Sequence, residues 1–249
     1  MGFIAIRQHS LVLDYFHMTE EEFRAHEALV KELNDPVLRA EYARAYDSYK
    51  PGFVANVLGW LLVACGNLVY GKKPSYEKFK AVEVIARIPY QSWEVASYTL
   101  LTGLYSDEKR AIELTKTGTF SRQAQDNETM HVVVISQIVK RLKCEGFFRH
   151  FLIPLLFALF YFWTIYILYM VSRKSALELN FLFESHAYQQ YSEFLALYGE
   201  RLRDTPVYSE FLTFYGRHAR SEYELFESIR NDELIHRNRS IRELQAHAK

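Results

Sequence analysis

Residues 151–171, FLIPLLFALFYFWTIYILYMV, form a run of 21 residues without a charge. As a helix rising about 1.5 Å per residue, the run is roughly 30 Å long, the thickness of a bilayer's hydrocarbon core. Arg149 and His150 flank it on one side, Arg173 and Lys174 on the other. A second uncharged run, FVANVLGWLLVACGNLVY over 53–70, is followed by Lys72 and Lys73. Three readings of 151–171 are open: a transmembrane span, a buried core helix, or a helix lying in one leaflet. Basic residues at both ends leave no one-sided charge bias. A single span would put the chain before it and the chain after it on opposite sides of the membrane.

The rest of the chain reads as all-α. Gly and Pro number 10 and 6 in 249 residues, and no sustained period-2 alternation appears. Thirty basic and thirty acidic residues balance to zero, so no nucleic-acid partner is expected. The start, MGFIAIRQHS, has no apolar leader core, and Ile6 stands where a myristoylation signal needs Ser or Thr. Cys65 and Cys144 match no metal spacing and read as buried small hydrophobes. Thr19 and Glu22 form a capping-box pair for a helix over 19–33, and Asp35–Pro36 starts another that runs to about Ser48. Pro51–Gly52 then breaks the chain. This divides it into a helical appendage, 1–52, and a main domain, 53–249. Further helices are expected over 75–104, with a kink or break at Pro89, and over 123–147, 176–199 and 207–244. Residues 105–122 read as polar and turn-rich.

Two stretches place an acid and an imidazole one helical turn apart. Glu128 and His131 stand in DNETMHVVVI, and Glu233 and His236 in NDELIHRNRS. With 23 Glu and 9 His, composition alone gives roughly 0.8 such pairs, so the count decides nothing. Either pair alone reads equally as a solvated charge pair. Context adds more. The first pair heads an apolar run, and two lone glutamates, Glu83 in KAVEVIARIPY and Glu184 in LNFLFESHAYQQY, also sit in apolar helical surroundings. Isolated buried carboxylates are costly unless paired or metal-bound. The order Glu83, Glu128-x-x-His131, Glu184, Glu233-x-x-His236 is the ligand pattern of a ferritin-like di-iron four-helix bundle. Four carboxylates and two neutral imidazoles balance two divalent ions, and a donor set without thiolate suits iron, with manganese possible. If both pairs share one site, 151–171 cannot cross the membrane. It and 53–70 then form a monotopic apolar face.

At these residues the chain resembles the alternative oxidases, and within them the plastid terminal oxidase (plastoquinol oxidase) branch. The resemblance is carried by VEVIARIPY around Glu83, NETMH at 127–131, ESHAYQQYSEFL at 184–195 and IRNDELIH at 229–236, and covers about 53–244. It implies a monotopic, dimeric, non-haem di-iron quinol oxidase that oxidises plastoquinol or ubiquinol and reduces O₂ to water without pumping protons. The membrane implied is a thylakoid or a bacterial or organellar inner membrane. Glu83, Glu128, His131, Glu184, Glu233 and His236 would hold two Fe ions. Tyr191 would supply or relay an electron and a proton, Asn127 and Asp232 would orient ligands, and Lys78, Val82, His186 and Ala187 would line the quinol channel. Lys78 stands where the family usually has an arginine, which puts a bidentate contact to the quinone oxygen in doubt. Each role has a plainer reading: core aromatic for Tyr191, polar helix surface for Asn127 and Asp232, satisfied core histidine for His186. Other classes remain open: a di-iron hydroxylase or oxygenase acting on a quinone ring or lipid, a ferritin-like storage protein, or a metal-free helical bundle at a membrane.

Overall fold

A computed structural model describes residues 20–143 and 146–246; Thr19 of the expected capping box and Cys144 lie outside them. Among the described residues the regular elements are all helical. They are α1 (Glu20–Glu32), α2 (Pro36–Arg44), α3 (Phe53–Tyr70), α4 (Tyr76–Thr102), α5 (Glu108–Arg141), α6 (Ile153–Val171), α7 (Arg173–Asp204), α8 (Glu210–Tyr215) and α9 (Glu222–Ala246). A π-helical turn, Phe148–Leu152, leads into α6.

Four long helices form the bundle: α4 packs on α5, and α7 on α9. One apolar cluster gathers Phe79, Met130, Val134, Tyr191, Phe194 and Phe226. The other gathers Ile88, Trp93, Phe120, Ala124, Ala176 and Leu179. Chain order through these clusters makes α4 antiparallel to α5, and α7 antiparallel to α9. The level between them is occupied by the acidic residues and histidines.

Several boundaries differ from the sequence reading. All but the first three residues of the 105–122 segment are helical, and α5, starting at Glu108, is one helix of 34 residues. Asp107 caps it by accepting from Arg110 N, while Thr115 and Thr119 hydrogen-bond to the carbonyls of Ala111 and Thr115. Residues that suit turns are thus accommodated by bonding back along the helix. Helix α4 continues through Pro89 without a break. The expected 207–244 helix is two, because Gly216 takes φ +94° and ends α8 in a left-handed turn. That turn sets Arg217 back against α9.

Helices α3 and α6 present apolar surface outward. Phe53, Trp60 and Leu68 on α3 and Leu159, Phe160, Trp163 and Val171 on α6 are exposed. Cys65 is exposed on this same surface rather than buried. The two helices lie side by side, sharing a groove lined by Leu58, Leu62, Phe157 and Tyr161. Few residues of either are buried, so the buried core-helix reading does not fit α6.

Residues 20–52 lie against the bundle. Val30 and Leu33 pack on Ile235 of α9, and Asn231 donates to Val30 O at 2.9 Å. The buried Glu178 accepts from Tyr49 Oη at 2.6 Å and Gly52 N at 3.0 Å, fixing the entry to α3.

Candidate metal centre

Glu83 lies on α4, Glu128 and His131 on α5, Glu184 on α7, and Glu233 and His236 on α9. All six are buried. They form two overlapping groups, Glu83–Glu128–His131–Glu233 and Glu128–Glu184–Glu233–His236, with the donor atoms of each within 4.8 Å of one another. Glu128 and Glu233 belong to both. Two adjacent sites sharing two carboxylates is the arrangement a dinuclear centre needs.

Unmet hydrogen-bonding capacity makes the same point. Both oxygens of Glu128 and of Glu233, Oε2 of Glu184 and Nδ1 of His236 have no hydrogen-bond partner among the protein's side chains and backbone. His236 Nδ1 stands 2.7 Å from Glu128 Oε1, without hydrogen-bond alignment. His131 Nδ1 lies 3.2 Å from Glu83 Oε2, 3.4 Å from Glu128 Oε2 and 3.3 Å from Glu233 Oε1. Each unsatisfied buried polar atom costs about 1–3 kcal/mol, and more when charged. Convergent oxygens and imidazole nitrogens with spare lone pairs fit divalent iron or manganese.

Electrostatics shows how strongly the four glutamates and two histidines act on one another. Burial first, and then the neighbouring Glu128, push Glu83 up to about 7, outweighing His131. Glu233 is raised well above the carboxylate range by burial and the three other glutamates. Burial also pushes Glu128 up, but His131 and His236 outweigh it and hold it at about 2.

Each lone glutamate is held by a tyrosine from the other's helix. Tyr191, seven residues after Glu184, donates to Glu83 Oε1. Tyr90, seven residues after Glu83, donates to Glu184 Oε1 at 2.7 Å and accepts from Asn180 Nδ2 at 2.9 Å. Sequence reasoning singled out Tyr191 and missed Tyr90, although the same Glu-to-Tyr spacing occurs twice. It also missed Arg217, which donates through both Nη atoms to Asp232. Asp232 in turn accepts from His131 Nε2 at 2.9 Å, which would leave Nδ1 to present its lone pair to a bound metal. Asn127 lies beside the centre and donates to Tyr215 Oη at 3.0 Å.

Lys78, Val82, His186 and Ala187 are brought together in one apolar cleft between α3, α4, α6 and α7. Val82 precedes Glu83 in the chain and His186 follows Glu184 by two, so this cleft backs onto the centre. Lys78 is buried, and its Nζ donates to Asn67 Oδ1, Lys72 O and Gln190 Oε1 at 3.0, 3.0 and 2.7 Å. Burial, then Lys78, lowers the pKa of His186, which keeps its imidazole neutral. A second, polar cleft on the α1 side is lined by His26, Tyr42, Gln123, Asn127, His236 and Arg239.

A four-helix bundle whose core brings together two overlapping Glu/His groups that could hold metal ions defines the class: a helical carboxylate-bundle protein. The alternative oxidase family model matches residues 54–244, and the chain belongs to that family. It is similar to the plastid protein named ubiquinol oxidase 4, chloroplastic/chromoplastic, of Arabidopsis thaliana, at 29% identity over 133 residues. That alignment covers 53% of this chain and 35% of the relative, so this chain spans about a third of the relative's length. No solved structure matches.

Proposed function

We propose that the protein is a non-haem di-iron quinol oxidase of the plastid terminal oxidase type. In this reading two quinols are oxidised and one O₂ is reduced to two waters, which balances four protons and four electrons without pumping. The observation that carries it is the pair of overlapping donor sets with an apolar cleft at their back. Two irons bound by Glu83, Glu128, His131, Glu184, Glu233 and His236 would supply the electron exchange with O₂.

The chain's own residues do the rest. The cleft admits the quinol ring from the side of the exposed α3 and α6 surface, away from bulk water. His186, neutral and half-buried, accepts a quinol hydroxyl proton. Lys78 holds the cleft's polar end through its three bonds. Val82 and Ala187 keep the wall between quinol and centre apolar. Tyr191 passes a proton and an electron at Glu83. Asp232 fixes the His131 tautomer, and Asn127 supports the same level through Tyr215.

Helices α3 and α6 lie in one leaflet of a thylakoid, bacterial or organellar inner membrane. The ligands argue for this. Glu128 precedes α6 in the chain and Glu184 follows it, yet both belong to one donor group. A tag in the 103–107 turn before α5 and one in the 205–209 link after α7 should be accessible from the same side. Residues 53–249 form the oxidase domain and 1–52 the appendage, of which 20–52 lie against the bundle, and the active form is a homodimer, checked by sedimentation in detergent.

The test is oxygen-electrode turnover of the iron-loaded protein with ubiquinol and plastoquinol analogues under ¹⁸O₂. Label appearing only in water supports an oxidase. Label in the organic product would assign the protein to the hydroxylases instead.

A further inference from the structure

The family match begins at residue 54, yet two residues of α1 reach the metal centre. His26 Nε2 is 2.8 Å from Asp232 Oδ1. The Asp232 carboxylate can only accept, so His26 donates. Glu27 takes the outer edge of Arg217, with Arg217 Nε 3.1 Å from Oε1 and 3.2 Å from Oε2. Arg217 presents its other edge to both oxygens of Asp232. A continuous chain, half-buried at Glu27 and buried from Arg217 inward, therefore runs Glu27–Arg217–Asp232–His131, with the half-buried His26 bonded to the same aspartate. Both Asp232 oxygens are thereby occupied: Oδ1 by His26 and Arg217, Oδ2 by His131 and Arg217. That leaves Asp232 no lone pair turned toward the metals, unlike the glutamate beside it. The His26 ring also lies against the His236 ring, centroids 6.3 Å apart and planes 28° apart. One side chain thus touches the positioning aspartate of one donor set and the histidine of the other.

We propose that α1 completes the metal centre of this chain, with His26 as a positioning residue that fixes Asp232 and, through it, the Nδ1 lone pair of His131. Partners of a ligating histidine typically change metal affinity about 10–100-fold when lost, because the ring's orientation and tautomer go with them. His26 acts one bond further out, so the lower end applies, about tenfold. Glu27 acts on the same aspartate by holding Arg217 in register. The inference rests on the dinuclear reading of the cluster, and its test separates the two.

Full-length protein is titrated anaerobically with Co(II), whose visible bands report ligand geometry. Wild type should take up two equivalents. His26→Phe keeps the ring packed on His236 but donates nothing, and His26→Gln retains an N–H for Asp232 Oδ1. In His26→Phe, one of the two equivalents should bind about tenfold more weakly with shifted bands. His26→Gln should recover most of both. Val30→Ala loosens the packing of α1 on Ile235 without touching the network. It should lower the melting temperature and leave both Co(II) constants and bands unchanged. Wild-type constants and bands in His26→Phe would overturn the proposal, as would a Val30→Ala variant that reproduces the His26→Phe loss. A wild-type chain that binds no Co(II) would instead overturn the dinuclear reading itself.

Discussion

The two Glu-x-x-His turns are the same four-residue pattern, yet they sit in different surroundings. His131 is sealed in the core, its outer nitrogen tied to Asp232, which Arg217 and His26 hold in turn. His236 borders the polar cleft on the α1 side. It faces Glu128, and its inward Nδ1 has no hydrogen-bond partner. The lone glutamates, by contrast, are treated alike, each gripped by a tyrosine from the opposite helix. The pseudo-symmetry is thus tight at the carboxylates and broken at the imidazoles.

The shared carboxylates offer the harshest way to break the comparison. Glu128→Ala removes a donor from both sets at once, so iron content should fall from two per chain to near zero and quinol-dependent O₂ uptake should vanish. Membrane binding through α3 and α6 should persist. Retained turnover would remove Glu128 from the centre.

Tyr191→Phe and Tyr90→Phe sharpen the comparison between the two grips. If Tyr191 transfers a proton, its loss should lower turnover about a hundredfold. Tyr90→Phe, losing one hydrogen bond worth about 1 kcal/mol, should cost less than about tenfold. Equal effects in stopped-flow turnover would show that both tyrosines merely hold glutamates.

Asp232→Asn compares the two histidines. Asparagine cannot accept from Nε2–H and fill both Arg217 contacts together, so one metal equivalent should weaken about 10–100-fold. Calorimetric titration of the variant checks this. Equal weakening of both equivalents would erase the contrast between the histidines.

The smallest effect is on pH dependence. In metal-free protein Glu83 is raised to about 7, chiefly by burial, and Glu184 is raised for the same reason. His131 and His236 are lowered by burial but raised more by Glu128. All four bind protons more tightly folded than unfolded. Their stabilisation is therefore complete at about pH 4.5 for the acids and below about 6.5 for the histidines. It is lost as pH rises through each group's folded-state pKa, about 7 for Glu83. The metal-free melting temperature should be several degrees lower at pH 8 than at pH 5.5. Metal loading should remove the trend, because the ions take the protons' place.

Much of this was legible in the sequence for a physical reason. Ligands on helices follow the 3.6-residue repeat, so Glu83, Glu128, His131, Glu184, Glu233 and His236 declare themselves by spacing and apolar context. The 53–70 and 151–171 runs declare themselves by lack of charge. Arg217 did not, because its position depends on the left-handed turn at Gly216, and no local pattern says which helix that turn will face. His26 and Glu27 were equally silent. Their partners stand more than 180 residues away, and such pairing is set by tertiary packing of α1 on α9. The helical 108–122 segment was masked by threonines that bond to their own helix.

The central claim is that four helices assemble one dinuclear centre. Anaerobic titration of the metal-free, full-length protein with Fe(II) tests it most directly. A break at two equivalents per chain is the predicted result, reduced to near zero in Glu128→Ala. No break in the wild type, or two equivalents still bound by Glu128→Ala, would contradict it.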